Sequence, residues 1–214
     1  MKQDYVTFPC GDLSLEGVCH LPEGPGPFPA AVVCHPHPLY GGNMDNNVVY
    51  AVCQALCLRG IVGFRFNFRG VGRSQGTLGG VGEPEDVVAA VSLVASVDKV
   101  DVGRIGLCGY SAGAIAAFAT RPDDRVQAAA AISPPLVMAS LDGLKACSKP
   151  KLIVIGSSDD FTPIQDFQRF GESLIEPKEC QVIPGADHFW WGYEDQLSER
   201  VAAFFASALV SGKG

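Results

Sequence analysis

A serine hydroxyl is a weak nucleophile at neutral pH. It needs a base to take its proton and a carboxylate to orient that base and balance its charge. The chain offers residues of these types in Ser111, His188 and Asp159, and the chemistry they would support together is nucleophilic acyl transfer. Ser111 is the centre of Gly109-Tyr110-Ser111-Ala112-Gly113. An apolar run from Arg104 to Cys108 precedes it and reads as a strand; an alanine-rich run from Ala114 to Ala119 follows and reads as a helix. A sharp strand-to-helix turn needs small residues two before and two after the serine, because backbone passes close to both. It leaves the hydroxyl near a helix N-terminus, whose N–H groups favour a developing oxyanion. The plain alternative is a tight turn with a capping serine.

The base must come from four histidines. His20 falls on an early hairpin and reads as a surface or edge residue. His35 and His37 sit in the loop His35-Pro36-His37-Pro38-Leu39-Tyr40-Gly41-Gly42. His188 lies in Pro184-Gly185-Ala186-Asp187-His188-Phe189, a loop after the last strand that can deliver an imidazole to the serine. The carboxylate comes from Gly156-Ser157-Ser158-Asp159-Asp160-Phe161-Thr162-Pro163, again between a strand and a helix. Either aspartate could instead cap that helix; Asp159 is favoured for the acid and Asp160 for a cap or turn. Asp187 is disfavoured, because neighbouring side chains in an extended loop diverge. The chain order serine, acid, histidine is one of the known orders for this chemistry.

These residues need a scaffold, and the hydrophobic pattern supplies one. Tyr5–Phe8 and Leu13–His20 alternate as two hairpin strands. Ala30–His35, Ile61–Phe68, Arg104–Cys108, Val126–Ile132, Leu152–Ile155 and Glu179–Ile183 read as further strands. Helices are expected over Asp45–Leu58, Pro84 to about Val97, the run after Ser111, Pro163–Leu174 and Glu194–Val210. The alternation predicts an α/β fold, a mostly parallel sheet of about eight strands flanked by helices, in one domain spanning residues 1–214. In such sheets ligands sit beyond the carboxyl ends of the strands, where all of these loops fall. The stretch Ser133–Pro150 has room for one short helix around Leu136–Ala146, so no substantial lid is expected and the cleft should be open.

Composition narrows the partners. A net charge of −7 argues against nucleic acid and anionic membranes, and no apolar run is long enough to span a bilayer. The chain opens without a basic-then-apolar leader. Of the eight cysteines, Cys34, Cys53, Cys57 and Cys108 fall in apolar patterns and read as buried thiols, which points to a reducing, cytoplasmic compartment. His35-x-His37 raises a metal reading, but no carboxylate or cysteine is poised with the pair, and no metal or other cofactor is expected. Arg69–Gly82 is a glycine-rich loop without a phosphate-binding fingerprint, in which Arg69 or Arg73 could contact an anion.

Together, the His35–Asn46 loop, Phe66-Asn67-Phe68-Arg69-Gly70-Val71-Gly72-Arg73-Ser74, the Gly109–Gly113 turn, the Gly156–Pro163 turn and Gly185–His188 resemble those of α/β-hydrolase proteins. The likeness is strongest to the small, lidless serine hydrolases related to dienelactone hydrolases. Dienelactone hydrolases proper carry cysteine as nucleophile, where this chain has Ser111. The resemblance implies an oxyanion hole with one donor from Ala112 N–H and a second from the His35–Gly42 loop. Pro36 and Pro38 have no N–H. That leaves His37, Leu39, Tyr40 and the glycines, with Tyr40 or Leu39 favoured and the Tyr40 hydroxyl a further option. His37, Phe161, Phe189 and Trp190 are the expected substrate contacts, with Trp191, Leu136 and Met138 near them; each aromatic could equally be packing. The expected activity is hydrolysis of a small-molecule carboxylic ester by a monomer or homodimer. Thioester or amide cleavage, and a non-catalytic binding protein, are the alternatives.

Overall fold

The computed structural model describes residues 1–80 and 83–210, so Val81 and Gly82 of the predicted glycine-rich loop lie outside the described residues. Eight strands form one sheet: β1 (Lys2–Cys10), β2 (Leu13–Leu21), β3 (Phe28–Cys34), β4 (Val62–Phe66), β5 (Val100–Tyr110), β6 (Val126–Ile132), β7 (Lys151–Gly156) and β8 (Lys178–Ile183). Among the described residues six α-helices connect or flank the strands: α1 (Asn47–Leu58), α2 (Pro84–Ala95), α3 (Ala112–Phe118), α4 (Asp142–Lys145), α5 (Ile164–Ser173) and α6 (Glu194–Val210). The sheet order is β1-β2-β4-β3-β5-β6-β7-β8. β1 and β2 run antiparallel to each other and β2 antiparallel to β4; every other pairing is parallel.

The sequence pattern accounts for these layers. The central strands are apolar on both faces, as strands covered on both sides must be. On one face α1 and α6 bury Val48, Val52, Leu56, Leu197, Val201 and Phe205 against the sheet. On the other, α2, α3 and α5 bury Val87, Val91, Ile115, Phe118, Phe167 and Phe170. Phe64, Phe66 and Phe68 share a face as their spacing predicts; Phe64 and Phe66 stack at 6.1 Å and Phe8 meets both edge-on. Each such ring contributes roughly 1.5–3 kcal/mol through its burial.

Several boundaries differ from the sequence reading. β5 begins at Val100 rather than Arg104, and α1 begins at Asn47 because the Asn46 side chain accepts the Val48 N–H and so caps it. Between β6 and β7 the chain makes only the four-residue α4, without a lid. His20 is not a surface residue. The hairpin edge is β1, while β2 is interior to the sheet and pairs with β4. His20 is therefore fully buried, and Arg65 Nε donates to its Nε2 at 2.9 Å.

Strand order reverses at β3, which lies between β4 and β5. Cys34 at the end of β3 pairs with Gly109 in β5, so the loop after β3 opens directly beside the Ser111 turn. This is the crevice where open α/β sheets take their ligands.

Candidate active site

The Ser111 turn is sterically defined. Ser111 has φ 53° and ψ −120°, a conformation that costs a non-glycine residue on the order of 1–3 kcal/mol. Its surroundings hold it there. A Cβ at Gly109 would sit 2.5 Å from the Ala114 Cα, and one at Gly113 would overlap the Cys34 and His35 carbonyls. Both glycines are thus required by backbone passing at close range, and Ser111 N–H is anchored on the Ile132 carbonyl at 2.9 Å.

His188 arrives from the loop after β8. Its Nε2 lies 3.0 Å from Ser111 Oγ, and its Nδ1 lies 2.9 and 3.0 Å from the two oxygens of Asp159. An ionised carboxylate can only accept, so Nδ1 carries the ring proton and Nε2 presents its lone pair to the serine hydroxyl. The acid and histidine loops are stitched together. Ser158 N–H donates to the Ala186 carbonyl and Gly185 N–H to Ser157 Oγ, while a Cβ at Gly156 would run into the Ala186 backbone. Tyr110, beside the serine, donates its hydroxyl to the His188 carbonyl at 2.8 Å. Burial, with Asp159 and Asp187 nearby, pushes that hydroxyl well above the ordinary tyrosine range and keeps it a donor.

The two aspartates divide differently from the expectation that one orients and the other caps. Neither caps α5, which has no side-chain cap; Asp159 instead orients the histidine and braces its own turn, its Oδ1 accepting the Phe161 and Thr162 N–H groups at 3.0 and 3.1 Å. Asp160 is exposed. Asp187 turns away from the histidine ring and accepts the Phe189 and Trp190 N–H groups.

The loop after β3 corrects the oxyanion expectation. Pro38–Tyr40 forms a single 3-10 turn. Its geometry consumes the two favoured donors: Leu39 N–H goes to His37 Nδ1 at 3.1 Å and Tyr40 N–H to the His37 carbonyl at 3.0 Å. Leu39 is also 87% exposed and lies outside the cleft. His37 and Ala112 both line the cleft, and among the described residues neither backbone N–H has a partner.

The cleft at Ser111 is walled by Tyr40, Ile115, Pro135, Met138, Phe161 and Phe189. Of the expected substrate contacts, His37, Phe161 and Phe189 are there and Trp190 is not. Trp190 has φ 63°, which turns its side chain inward; it is fully buried in the core and its Nε1 donates to Ser133 Oγ at 3.1 Å. Leu136 packs on the core and Trp191 faces outward. The sequence reading did not pick out Ile115 and Pro135 of the apolar wall, nor Tyr110 and Asn46, which bring polar groups to it. Tyr110 was visible as the residue before the serine, and Asn46 as an N-cap residue ahead of an apolar run.

The remaining candidates have structural partners. His35 is buried, with Nδ1 on the Pro36 carbonyl and Nε2 accepting the Phe68 N–H, so both ring nitrogens are engaged. Arg69 is held by the buried Asp86 through three hydrogen bonds rather than facing an anion.

Known proteins fit this architecture. The model of the dienelactone hydrolase family matches residues 78–205. The uncharacterized protein RP471 of Rickettsia prowazekii is 34% identical over 213 residues, covering 94% of this chain and 87% of that one. An α/β serine hydrolase homologue from Coxiella burnetii superposes with a TM-score of 0.83 at 32% identity, over 95% of this chain and 97% of that one. XC6422 from Xanthomonas campestris, described as a serine hydrolase without lid, superposes with a TM-score of 0.84 at 27% identity, over 98% and 96%. With the family model matched across more than half of its length and a relative aligned across nearly all of it, the chain belongs to the dienelactone hydrolase family, and its fold is that of the lidless α/β-hydrolases.

Proposed function

We propose that the chain is a serine carboxylic-ester hydrolase acting on small esters through an acyl-enzyme. The observation that carries this reading is the continuous relay from Ser111 Oγ to His188 Nε2 at 3.0 Å and from His188 Nδ1 to Asp159 at 2.9 Å, set at the mouth of an apolar cleft. Ser111 Oγ attacks the ester carbonyl carbon while His188 Nε2 takes its proton. The Ala112 and His37 N–H groups hold the resulting oxyanion, and Asp159 stabilises the charged imidazole. Collapse expels the alcohol, which receives the proton from His188. A water deprotonated by His188 then releases the acid and restores Ser111. The helix that starts at Ala112 adds its positive end to the oxyanion side.

All eight cysteines are free, Cys180 in an exposed position, which supports a reducing compartment such as the cytoplasm. No helix among the described residues is long and apolar enough to cross a membrane.

The test is active-site labelling. A fluorophosphonate should give a single adduct on Ser111, absent in Ser111→Ala, and the wild type should then cleave short acyl esters. Folded wild type that takes up no label would refute the mechanism. Faster turnover of thioesters or amides than of matched esters would reassign the leaving group while keeping the relay.

A further inference from the structure

The walls of the Ser111 cleft hold no Asp, Glu, Lys or Arg among the described residues. None of the nearby arginines lines it: Arg69 is paired with Asp86, Arg65 with Asp45 and His20, and Arg73 lines a separate polar cleft. The charges adjacent to the cleft in sequence, Asp45 before Asn46, Asp160 before Phe161 and Asp187 before His188, are exposed and acidic.

The walls are instead rich in rings. Phe161 lies 4.5 Å from the His188 ring, centroid to centroid, and meets Phe189 edge-on at 6.2 Å. Tyr40, Tyr110 and the Met138 thioether join them, beside the aliphatic Ile115, Pro36 and Pro135. Such walls favour a flat π-system, which finds edge-to-face and sulfur–ring contacts that an alkyl chain does not. They penalise a carboxylate, which would shed water and meet no cation.

Most polar side-chain atoms of the inner wall are spoken for, while His37 Nε2 and the hydroxyl of the exposed Tyr40 have no partner among the described residues. Tyr110 Oη donates to the His188 carbonyl, His37 Nδ1 accepts from Leu39, and Asn46 Oδ1 accepts the Val48 N–H. That last bond fixes the Asn46 amide and leaves its Nδ2, among the described residues, without a partner on the cleft wall.

Resting on the ester-hydrolase reading, we infer that the cleft selects esters bearing an uncharged aromatic ring and rejects those bearing a second carboxylate. Asn46 is its specificity residue, donating from Nδ2 to a neutral acceptor on the ring-bearing group. This separates the chain from an enzyme built for anionic lactones or half-esters.

The test compares rates of Ser111 labelling by ethyl fluorophosphonates that differ only in the group on phosphorus. Ser111 Oγ forms the P–O bond, fluoride leaves, and the proton passes to His188. The 2-phenylethyl probe should react about fivefold faster than the hexyl probe, and the 5-carboxypentyl probe at least about 100-fold slower than hexyl. A 4-acetyl group on the phenyl ring should add about fivefold in wild type, and that increment should vanish in Asn46→Asp and Asn46→Ser. Both substitutions keep an oxygen able to cap α1, so the ratio is read on folded protein. Equal rates for carboxypentyl and hexyl overturn the charge rule, and equal rates for phenylethyl and hexyl overturn the ring preference. An acetyl increment that is absent in wild type or survives both substitutions overturns the Asn46 assignment. Labelling of Ser111 by no probe overturns the hydrolase reading itself, and this inference with it.

Discussion

Asp159 grips His188 through both carboxylate oxygens, 2.9 and 3.0 Å from Nδ1, and the same Oδ1 also accepts two backbone N–H groups of its own turn. The acid is therefore both the orienting group and the anchor of its loop, which separates its electrostatic role from its structural one. Asp159→Asn keeps an oxygen for the Phe161 and Thr162 N–H groups. Its NH2 takes the Oδ2 place, 3.0 Å from His188 Nδ1, and presents a donor there, which favours the wrong imidazole tautomer and weakens the hold on the charged ring. The substitution should lower kcat for a short ester by about 10³–10⁴-fold with little change in KM and in melting temperature. Steady-state kinetics beside thermal unfolding decides it, and a loss of less than tenfold in kcat would remove Asp159 from the relay.

The glycine two residues after the serine should matter for stability as well as rate. Gly113→Ala places a methyl against the Cys34 and His35 carbonyls at the end of β3, where neither backbone can retreat without disturbing the β3–β5 pairing. Overpacking of this kind costs about 1–3 kcal/mol, equivalent to roughly 2–12 °C in Tm for a chain of this size. Gly80→Ala is the control, since a Cβ there meets nothing within 4 Å. Calorimetry that finds the two variants equally stable would contradict the close approach.

How legible each feature was in the sequence depends on whether its cause is local. The Ser111 turn could be read directly, because its signature lies within five residues, even though the Gly113 requirement comes from the distant Cys34 and His35 carbonyls. His188 and Asp159 could be read from their places after strands of an alternating α/β pattern. Trp190 could not: adjacency to His188 says nothing of which way a side chain turns, and a positive φ sends this one into the core. Leu39 and Tyr40 were reasonable donors by elimination of the prolines, yet only the 3-10 turn reveals that both N–H groups are already used. His20 was misplaced because alternation identifies a strand but not its neighbours, and β4 covers β2 from a distant part of the chain.

Two buried histidines make stability depend on mildly acidic pH. Burial, with the Arg65 guanidinium beside it, lowers His20 from 6.5 to about 4; burial lowers His35 to about 4, opposed in part by its bond to the Pro36 carbonyl. His20 faces Arg65 and the Tyr50 ring, and among the described residues its Nδ1 has no partner. Both rings are neutral when folded, so between pH 6.5 and 4 the unfolded chain binds more protons than the folded one. The stabilisation is complete above the unfolded value and is lost as pH falls through this window, by up to about 3 kcal/mol for each histidine. Urea unfolding should show the midpoint falling steadily from pH 7 to pH 4.5. In His20→Gln, which keeps an acceptor for Arg65, the slope should be shallower. A flat wild-type profile across that range would show that neither histidine is held neutral.

The assignment of His37 N–H to the oxyanion can be isolated by backbone chemistry. His37 has φ −62° and ψ 128°, values that proline adopts without strain, so His37→Pro deletes one N–H while preserving the path of the loop. The same substitution removes the imidazole that accepts the Leu39 N–H, and His37→Ala is the matched control that loses the side chain but keeps the donor. Oxyanion donors act where charge develops, so the difference between the two variants should fall on kcat. His37→Ala should retain activity within about tenfold, whereas His37→Pro should lose a further 10²–10³-fold or so, with KM for the two variants alike. If the variants turn over a short ester at the same rate, the second donor must come from elsewhere, and the Tyr40 hydroxyl, already on the cleft wall, is the group to remove next.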